Sequence, residues 1–184
     1  MTYDDLSLLK DEMLAALRAV RPALLDDWQL ANIKTQTKAC GSIVTSWDLK
    51  LDSLISSILA TTRLDIFSEE SLPELPVAFP KRYWLVDPLD GTIEFVEGTK
   101  DFAINIALIE DDYPIWGMIY HPVEDCCYLT GANGVISLKA DNTQIELRSP
   151  KTQSFNPLKL TLSSRQYQYL SNSLSFYQNL EVVL

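Results

Sequence analysis

The chain has 184 residues, of which 47% are hydrophobic and 22% are charged, and its formal net charge is −10. This size and composition predict one globular domain with a sizeable core. Binding to a nucleic-acid backbone needs a basic surface, so the acidic balance excludes nucleic acid as an expected partner. No apolar run in the sequence approaches the length of a membrane span.

The cysteines indicate the compartment. Cys40 and the neighbours Cys126 and Cys127 are odd in number and form no Cys-x-x-Cys pair. This pattern favours a reducing environment over a disulfide scaffold or a zinc site. The acidic first residues show no secretion signal. We therefore expect a cytoplasmic protein.

The first part of the sequence predicts two helices. Apolar residues at helical spacing predict the first helix, which Pro22 would end or kink and residues 23–30 would carry on. Thr45, followed three residues later by Asp48, predicts a capping box at the start of the second helix. The two predicted buried faces consist of Leu6, Leu9, Met13, Leu17 and Val20, and of Leu51, Leu54, Ile55, Ile58 and Leu59. Taken alone, Asp48 needs no role beyond capping.

The remainder predicts mainly strands. Short apolar segments separated by turn residues are typical of strands and hairpins. The predicted strands are 64–67, 83–86, 102–110, 114–120, 126–130, 135–138, 144–147, 158–162 and 181–184. A proline-rich loop at 71–80, a helical turn at 93–96 and a helix at 165–180 complete the pattern. Helices followed by a mainly antiparallel sheet indicate an α+β, layered fold.

Acidic residues follow apolar elements at three places, namely Asp48, Glu69-Glu70, and Asp87 with Asp90. Clustered carboxylates repel one another unless a cation lies between them, and hard oxygen ligands favour Mg²⁺. The alternative for Asp87-Pro88-Leu89-Asp90-Gly91 is a solvated turn without chemistry. The other two acidic places weigh in favour of a metal site.

Other catalytic schemes fit poorly. The Asp-x-Asp signature of haloacid dehalogenases needs a spacing of two, whereas Asp87 and Asp90 are three apart. His121 is the only histidine, which argues against Ser-His-Asp and Cys-His mechanisms. We interpret His121 as a turn residue beside Pro122.

Three segments in this order closely resemble the inositol monophosphatase superfamily of Mg²⁺-dependent, lithium-sensitive phosphatases: Val44-Thr45-x-x-Asp48, Glu69-Glu70, and Trp84 to Thr92. The resemblance covers nearly the whole chain and implies the layered α/β sandwich of the sugar phosphatases. Within the superfamily the sequence is more similar to the bacterial 3'(2'),5'-bisphosphate nucleotidases. The residues that carry this likeness are Lys38, Arg82-Tyr83-Trp84, Glu94-Phe95 and Asn105-Ile-Ala-Leu108. Ile93 departs from that branch, where a lysine is usual.

The resemblance implies a two-metal site, with two or three Mg²⁺ ions in a complete family member. The implied metal ligands are Glu69, Asp87, the Leu89 carbonyl and Asp90, and Asp87 would touch both ions. Asp48 and Thr92 would orient and deprotonate the attacking water. Glu69 and the N–H groups of Gly91 and Thr92 would contact the phosphate. Lys38 would contact the metal ligands without binding an ion itself, and Glu70 would do the same or bind a third ion weakly.

The resemblance also implies that a portion is missing. The family continues with an αβ segment carrying Trp-Asp-x-Ala-Ala, whose aspartate completes the second metal site. We therefore expect residues 1–184 to be the N-terminal portion of one such domain, to bind at most one Mg²⁺ well, to turn over poorly, and to self-associate through the face near Val182-Val183.

The implied reaction is hydrolysis of 3'-phosphoadenosine 5'-phosphate to AMP and phosphate. An inositol phosphatase is the alternative in the same class. A non-catalytic remnant that binds a metal or a partner chain is the alternative of another class.

Overall fold

The computed structural model describes residues 3–38, 41–71, 78–131 and 134–147, together with two strands at Leu158–Thr161 and Leu180–Val183. These residues belong to two compact units, Met1–Leu147 and Arg148–Leu184. Residues 165–179 of the predicted helix and Cys40 lie outside the described residues, and Leu180 belongs to a strand. All the predicted site residues belong to the first unit.

The predicted helical faces are confirmed. Helix α1 spans Tyr3–Gln29 and helix α2 spans Ser46–Leu59. Leu9, Met13 and Leu17 of α1 are buried in the core that also contains the buried face of α2. Helix α1 runs through Pro22 instead of ending there, because Leu24 beyond the proline is buried in the same core. Between the helices, strands β1 (Thr35–Thr37) and β2 (Ile43–Thr45) pair antiparallel.

A seven-stranded sheet forms the body of the first unit, with its strands in sequence order from β3 to β9. Strands β3 and β4 are parallel, and all other neighbours in this sheet are antiparallel, as the predicted meander requires. The strands are β3 (Asp65–Ser68), β4 (Arg82–Asp90), β5 (Ala103–Glu110), β6 (Tyr113–His121), β7 (Cys126–Gly131), β8 (Gly134–Leu138) and β9 (Gln144–Leu147). A short helix, α3 (Thr92–Val96), connects β4 to β5.

One face of this sheet belongs to the core and the other is open. Trp84 and Leu108 are fully buried in one cluster with the helices. On the opposite face, Leu85 and Ile119 are 44% and 48% exposed. Because side chains alternate between faces, this open face is also the one that carries Asp87.

Strand β4 extends further than predicted. We predicted its end at the Asp-Pro step, whereas it continues to Asp90. Asp87 lies opposite Asn105 and Asp90 lies opposite Ala103, so two residues of β4 face one residue of β5 in a β-bulge. Pro88 has no N–H to donate, and a bulge is one of the few places inside a sheet that tolerates proline.

In the second unit, strands β10 (Leu158–Thr161) and β11 (Leu180–Val183) pair in parallel. Both strands were predicted, with ends that differ by one residue. Across the described part of the chain, no helix combines the length and apolar character needed to cross a membrane.

Candidate active site

The parallel pairing of β3 with β4 brings two of the acidic segments together. Ser68 lies opposite Val86, and the Glu69 N–H donates to the Val86 carbonyl at 3.1 Å. Parallel strands end at the same edge of a sheet, so Glu69 follows β3 at the place where Asp87 follows Val86. The two acidic segments therefore lie side by side at this edge.

Asp87 lies at the centre of this negative charge. Burial, followed by the charges of Glu69 and Asp90, raises the pKa of Asp87 to about 7, and Asp48 adds to the effect. The Leu89 N–H donates to Asp87 Oδ1 at 3.2 Å and opposes the shift. A pKa raised in this way means that the surroundings do not balance the negative charge of the ionised carboxylate. A bound cation would balance that charge.

Asp48 serves as a helix cap and also faces the site. It is 1% exposed. Its Oδ2 accepts the Thr45 N–H at 2.8 Å and also the Thr45 hydroxyl, which completes the predicted capping box. Its Oδ1 accepts the Thr92 hydroxyl at 3.0 Å, across 44 positions of sequence. The capping interpretation is thus correct, and the second oxygen leaves room for a catalytic role.

Thr92 and Gly91 form the turn that follows β4. The Thr92 hydroxyl lies 3.0 Å from Asp48 Oδ1 and 3.0 Å from the Leu89 carbonyl, so a single proton is shared between two acceptors. Gly91 precedes α3 with φ of +85°, and a β-carbon there would collide with the Asp101 carbonyl. Only glycine fits this turn without strain.

Lys38 supplies the positive charge nearest to Glu69 and Glu70. Its Nζ lies 2.9 Å from Glu70 and 3.6 Å from Glu69. Burial opposes the charged form of Lys38, but the hydrogen bond and charge of Glu70 outweigh it and raise the pKa of Lys38. Burial raises the pKa of Glu70 as well, in spite of Lys38. The Glu70 side chain is 3% exposed and that of Lys38 is 23%, so the desolvation cost falls mainly on the carboxylate.

Asn105 is a site residue that the sequence did not reveal. Its Nδ2 donates to Asp90 Oδ2 at 2.9 Å, and it lies opposite Asp87 on β5. In the sequence Asn105 served only as a marker of the nucleotidase branch. The available signal was a polar residue on the open face of a strand whose neighbours, Ile104 and Ile106, are buried.

We predicted His121 as a turn residue, whereas it is the last residue of β6 and precedes the turn at Pro122. The Glu124 N–H donates to its Nδ1 at 3.2 Å, and its Nε2 lies 3.0 Å from the Lys100 carbonyl. An Nδ1 that accepts implies that Nε2 carries the proton and donates it. Both ring nitrogens are therefore occupied by the backbone of two turns.

The donor set fits a hard cation. Within the described ranges, no three Asp, Glu, His or Cys side chains stand close enough together to hold a metal ion as they are placed. The groups that do converge are all oxygen donors, which Mg²⁺ prefers. The burial of Asp87 beside the charges of Glu69 and Asp90 favours a bound cation, and the Leu89 carbonyl is a further oxygen ligand next to them.

Residues 6–181 match the inositol monophosphatase family. The chain therefore belongs to this family of phosphatases. The family resemblance and the α+β, layered fold that we predicted from the sequence are confirmed.

Individual relatives come from both branches that the sequence suggested. The chain is 44% identical over 95 residues to the 3'(2'),5'-bisphosphate nucleotidase CysQ of Shigella flexneri, covering 50% of this chain and 39% of the relative. It is 32% identical over 129 residues to the inositol-1-monophosphatase of Mesorhizobium japonicum, covering 70% of this chain and 48% of the relative. The matches thus span less than half the length of these two relatives.

A solved structure supports the fold. An IMPase/NADP phosphatase complexed with Mg²⁺ and phosphate superposes with a TM-score of 0.72 at 17% identity, covering 97% of this chain and 67% of the other. At this identity the likeness shows the fold alone.

Proposed function

We propose that this chain belongs to a Mg²⁺-dependent phosphomonoesterase that hydrolyses 3'-phosphoadenosine 5'-phosphate to AMP and phosphate. The observation that carries the proposal is the hydrogen bond between Thr92 and Asp48 beside the edge of the sheet where the charges of Glu69 and Asp90 act on Asp87. A cation site next to a hydroxyl–carboxylate relay is what metal-assisted hydrolysis of a phosphate ester needs.

Asp87, Asp90, Glu69 and the Leu89 carbonyl would hold Mg²⁺, with Asp87 shared between two ions. The bound metal supplies an acidified water and neutralises the charge that develops on the phosphate oxygens.

Thr92 and Asp48 would handle the proton. The Thr92 hydroxyl donates to Asp48 Oδ1, so the Thr92 oxygen is free to accept a hydrogen bond from an attacking water. As the water loses its proton to Thr92 Oγ1, Thr92 passes its own proton to Asp48. Thr45 fixes the other oxygen of Asp48, so the accepting lone pair stays aligned.

The phosphate would lie against the turn after β4. The first N–H groups of a helix have no partner within the helix, so those of Gly91 and Thr92 at the start of α3 point away from it. We propose that they and Glu69 contact the phosphate and its surrounding water. Lys38 and Glu70 would hold Glu69 in place through their ion pair.

Two observations bear on the substrate. The 44% identity to a bisphosphate nucleotidase exceeds the 32% identity to an inositol monophosphatase, which supports the nucleotide. Inositol phosphate is the second candidate, because Ile93 stands where the nucleotidase branch usually has lysine. The further proposals that residues 1–184 are part of one phosphatase domain, that the protein is cytoplasmic, and that it self-associates rest on the sequence.

The test is phosphate release by the full chain from 3'-phosphoadenosine 5'-phosphate and from inositol 1-phosphate, with Mg²⁺ and with excess chelator. We expect release only with Mg²⁺ and a higher kcat/KM for the nucleotide. Thr92→Val should abolish it, whereas Thr99→Val, which removes another hydroxyl bonded to a backbone carbonyl, should not. Release that survives full chelation refutes the proposal, and the opposite substrate preference favours the inositol phosphatase.

A further inference from the structure

Asn105 is placed to act on both aspartates of the β4 bulge. It lies opposite Asp87 in the β4–β5 register, and its Nδ2 donates to Asp90 Oδ2 at 2.9 Å. Side chains alternate along a strand, so two residues three apart would ordinarily point to opposite faces. The bulge adds one residue and brings Asp87, Asp90 and Asn105 to the same face.

The hydrogen bond fixes Asp90 without using up its carboxylate. Asp90 Oδ2 accepts from Asn105, whereas Asp90 Oδ1 accepts no hydrogen bond from any described residue. Asp90 is exposed, so its side chain would otherwise be free to rotate. A charge-assisted hydrogen bond restricts this rotation before a cation arrives, which lowers the entropy cost of binding.

The Asn105 amide does not serve the stability of the fold in any evident way. Its Oδ1 is buried and has no hydrogen-bond partner among the described residues. A buried carbonyl without a partner is unfavourable, and an apolar side chain of the same size would avoid the cost. The benefit of an asparagine at this position must therefore come from the Nδ2–H bond to Asp90.

We propose that Asn105 is a positioning residue that orients Asp90 for cation binding. The inference rests on the proposed function, since it assigns a role toward the Mg²⁺ that Asp90 would help to hold. It adds a determinant of metal affinity that lies on β5, outside the acidic motif.

The test is a double-mutant cycle on the full chain, read by calorimetric titration with Mg²⁺ in the absence of substrate. Asn105→Leu keeps the size of the side chain and removes the donor. We expect it to weaken Mg²⁺ binding about 10- to 100-fold, the effect of losing a hydrogen bond to a charged group. Asp90→Ala should weaken it at least as much, and adding Asn105→Leu to Asp90→Ala should change little, because Asn105 then has nothing to orient.

Two controls separate positioning from folding. Asn105→Leu should leave the metal-free Tm unchanged or raise it, because it removes the unpaired Oδ1. Gln144→Leu, which takes an amide from β9 of the same sheet, should leave Mg²⁺ affinity unchanged. If Asn105→Leu fails to fold, Asn105→Ser replaces it, since the serine hydroxyl is too short to reach Asp90.

The outcomes distinguish the inference from the function on which it rests. A wild-type chain that binds no Mg²⁺ refutes the proposed function and the inference with it. If the wild type binds Mg²⁺, an Asn105→Leu chain of unchanged affinity refutes the inference alone. An Asn105 effect that is equally large in the Asp90→Ala background, or an Asp90→Ala chain of wild-type affinity, also overturns the inference.

Discussion

Replacing Asp87 by asparagine should stabilise the metal-free protein and remove the proposed phosphatase activity. The surroundings raise the pKa of Asp87 from its ordinary 3.8 to about 7, so ionising it in the folded chain is unfavourable. At 1.36 kcal/mol per pKa unit, the difference corresponds to at most ~4 kcal/mol. Asp87 is only half-buried, so water screens part of this, and we expect about 2 kcal/mol. Asparagine keeps the oxygen that accepts the Leu89 N–H and carries no charge.

The gain from Asp87→Asn should depend on pH in a defined way. Between pH 3.8 and about 7, the folded wild type holds a proton on Asp87 that the unfolded chain has lost, so its free energy of unfolding falls as pH rises. The asparagine variant has no such loss from this position. The difference between the two should therefore be small near pH 4, grow up to about pH 7, and stay constant above it.

Urea unfolding of both chains in chelator at pH 5, 7 and 8.5 measures this difference. Adding Mg²⁺ should reverse the order, because the cation stabilises only the chain that binds it. A variant that is less stable than the wild type at pH 8.5 without metal would show that other groups of the protein stabilise the negative charge of Asp87. The same variant should lose more phosphatase activity than Asp90→Asn or Asp48→Asn, since Asp87 would touch both metals.

Three further substitutions test the frame of the site. Gly91→Ala should lower the free energy of unfolding in urea by ~2–4 kcal/mol, because φ is positive and the β-carbon would collide with the Asp101 carbonyl. Gly98→Ala is the control, since Gly98 has φ of +76° but open space around it, and it should cost ~1 kcal/mol. Equal costs would contradict the collision at Gly91. Thr92→Ser should retain most of the kcat that Thr92→Val loses, because serine keeps the hydroxyl; a serine variant as inactive as valine would disprove the relay. Lys38→Met should lower the free energy of unfolding by ~1–3 kcal/mol, because it leaves the buried Glu70 without its ion-pair partner. The loss should be larger at pH 8 than at pH 5, because Glu70 ionises at the higher pH. Lys81→Met breaks an exposed ion pair and should cost under ~0.5 kcal/mol at either pH, so a similar loss in both lysine variants would mean that burial of Glu70 does not matter.

The features predicted best are those with short-range causes. The capping box of α2 depends on residues three apart, and the turn between the predicted strands 102–110 and 114–120 depends on Asp111 and Asp112, which adopt positive φ. Both were predicted correctly from sequence alone. The course of α1 through Pro22 was left open, because a local rule that proline ends helices competes with burial of Leu24, which only the packed structure shows.

The convergence of the acidic residues was predictable only in outline. Asp48 and Thr92 are 44 positions apart, and nothing in either segment shows that a hydrogen bond joins them. The motif could be recognised by its resemblance to a family, but that resemblance gave no geometry. The Asn105–Asp90 hydrogen bond went unpredicted because it depends on a register shift, which is a property of two strands together and not of either sequence.

The bulge explains why aspartates three residues apart can serve one metal centre. In a regular strand Asp87 and Asp90 would point to opposite faces, and one of them would be forced into the apolar core beside Val86 and Leu89. Proline at position 88 cannot donate to β5, so pairing fails there and the extra residue is accommodated. The bulge thus buries Leu89 while turning both carboxylates to the open face. The spacing of the two aspartates and the proline between them therefore depend on each other. The proline favours the bulge, and the bulge places both carboxylates on one face, where they could bind a cation together.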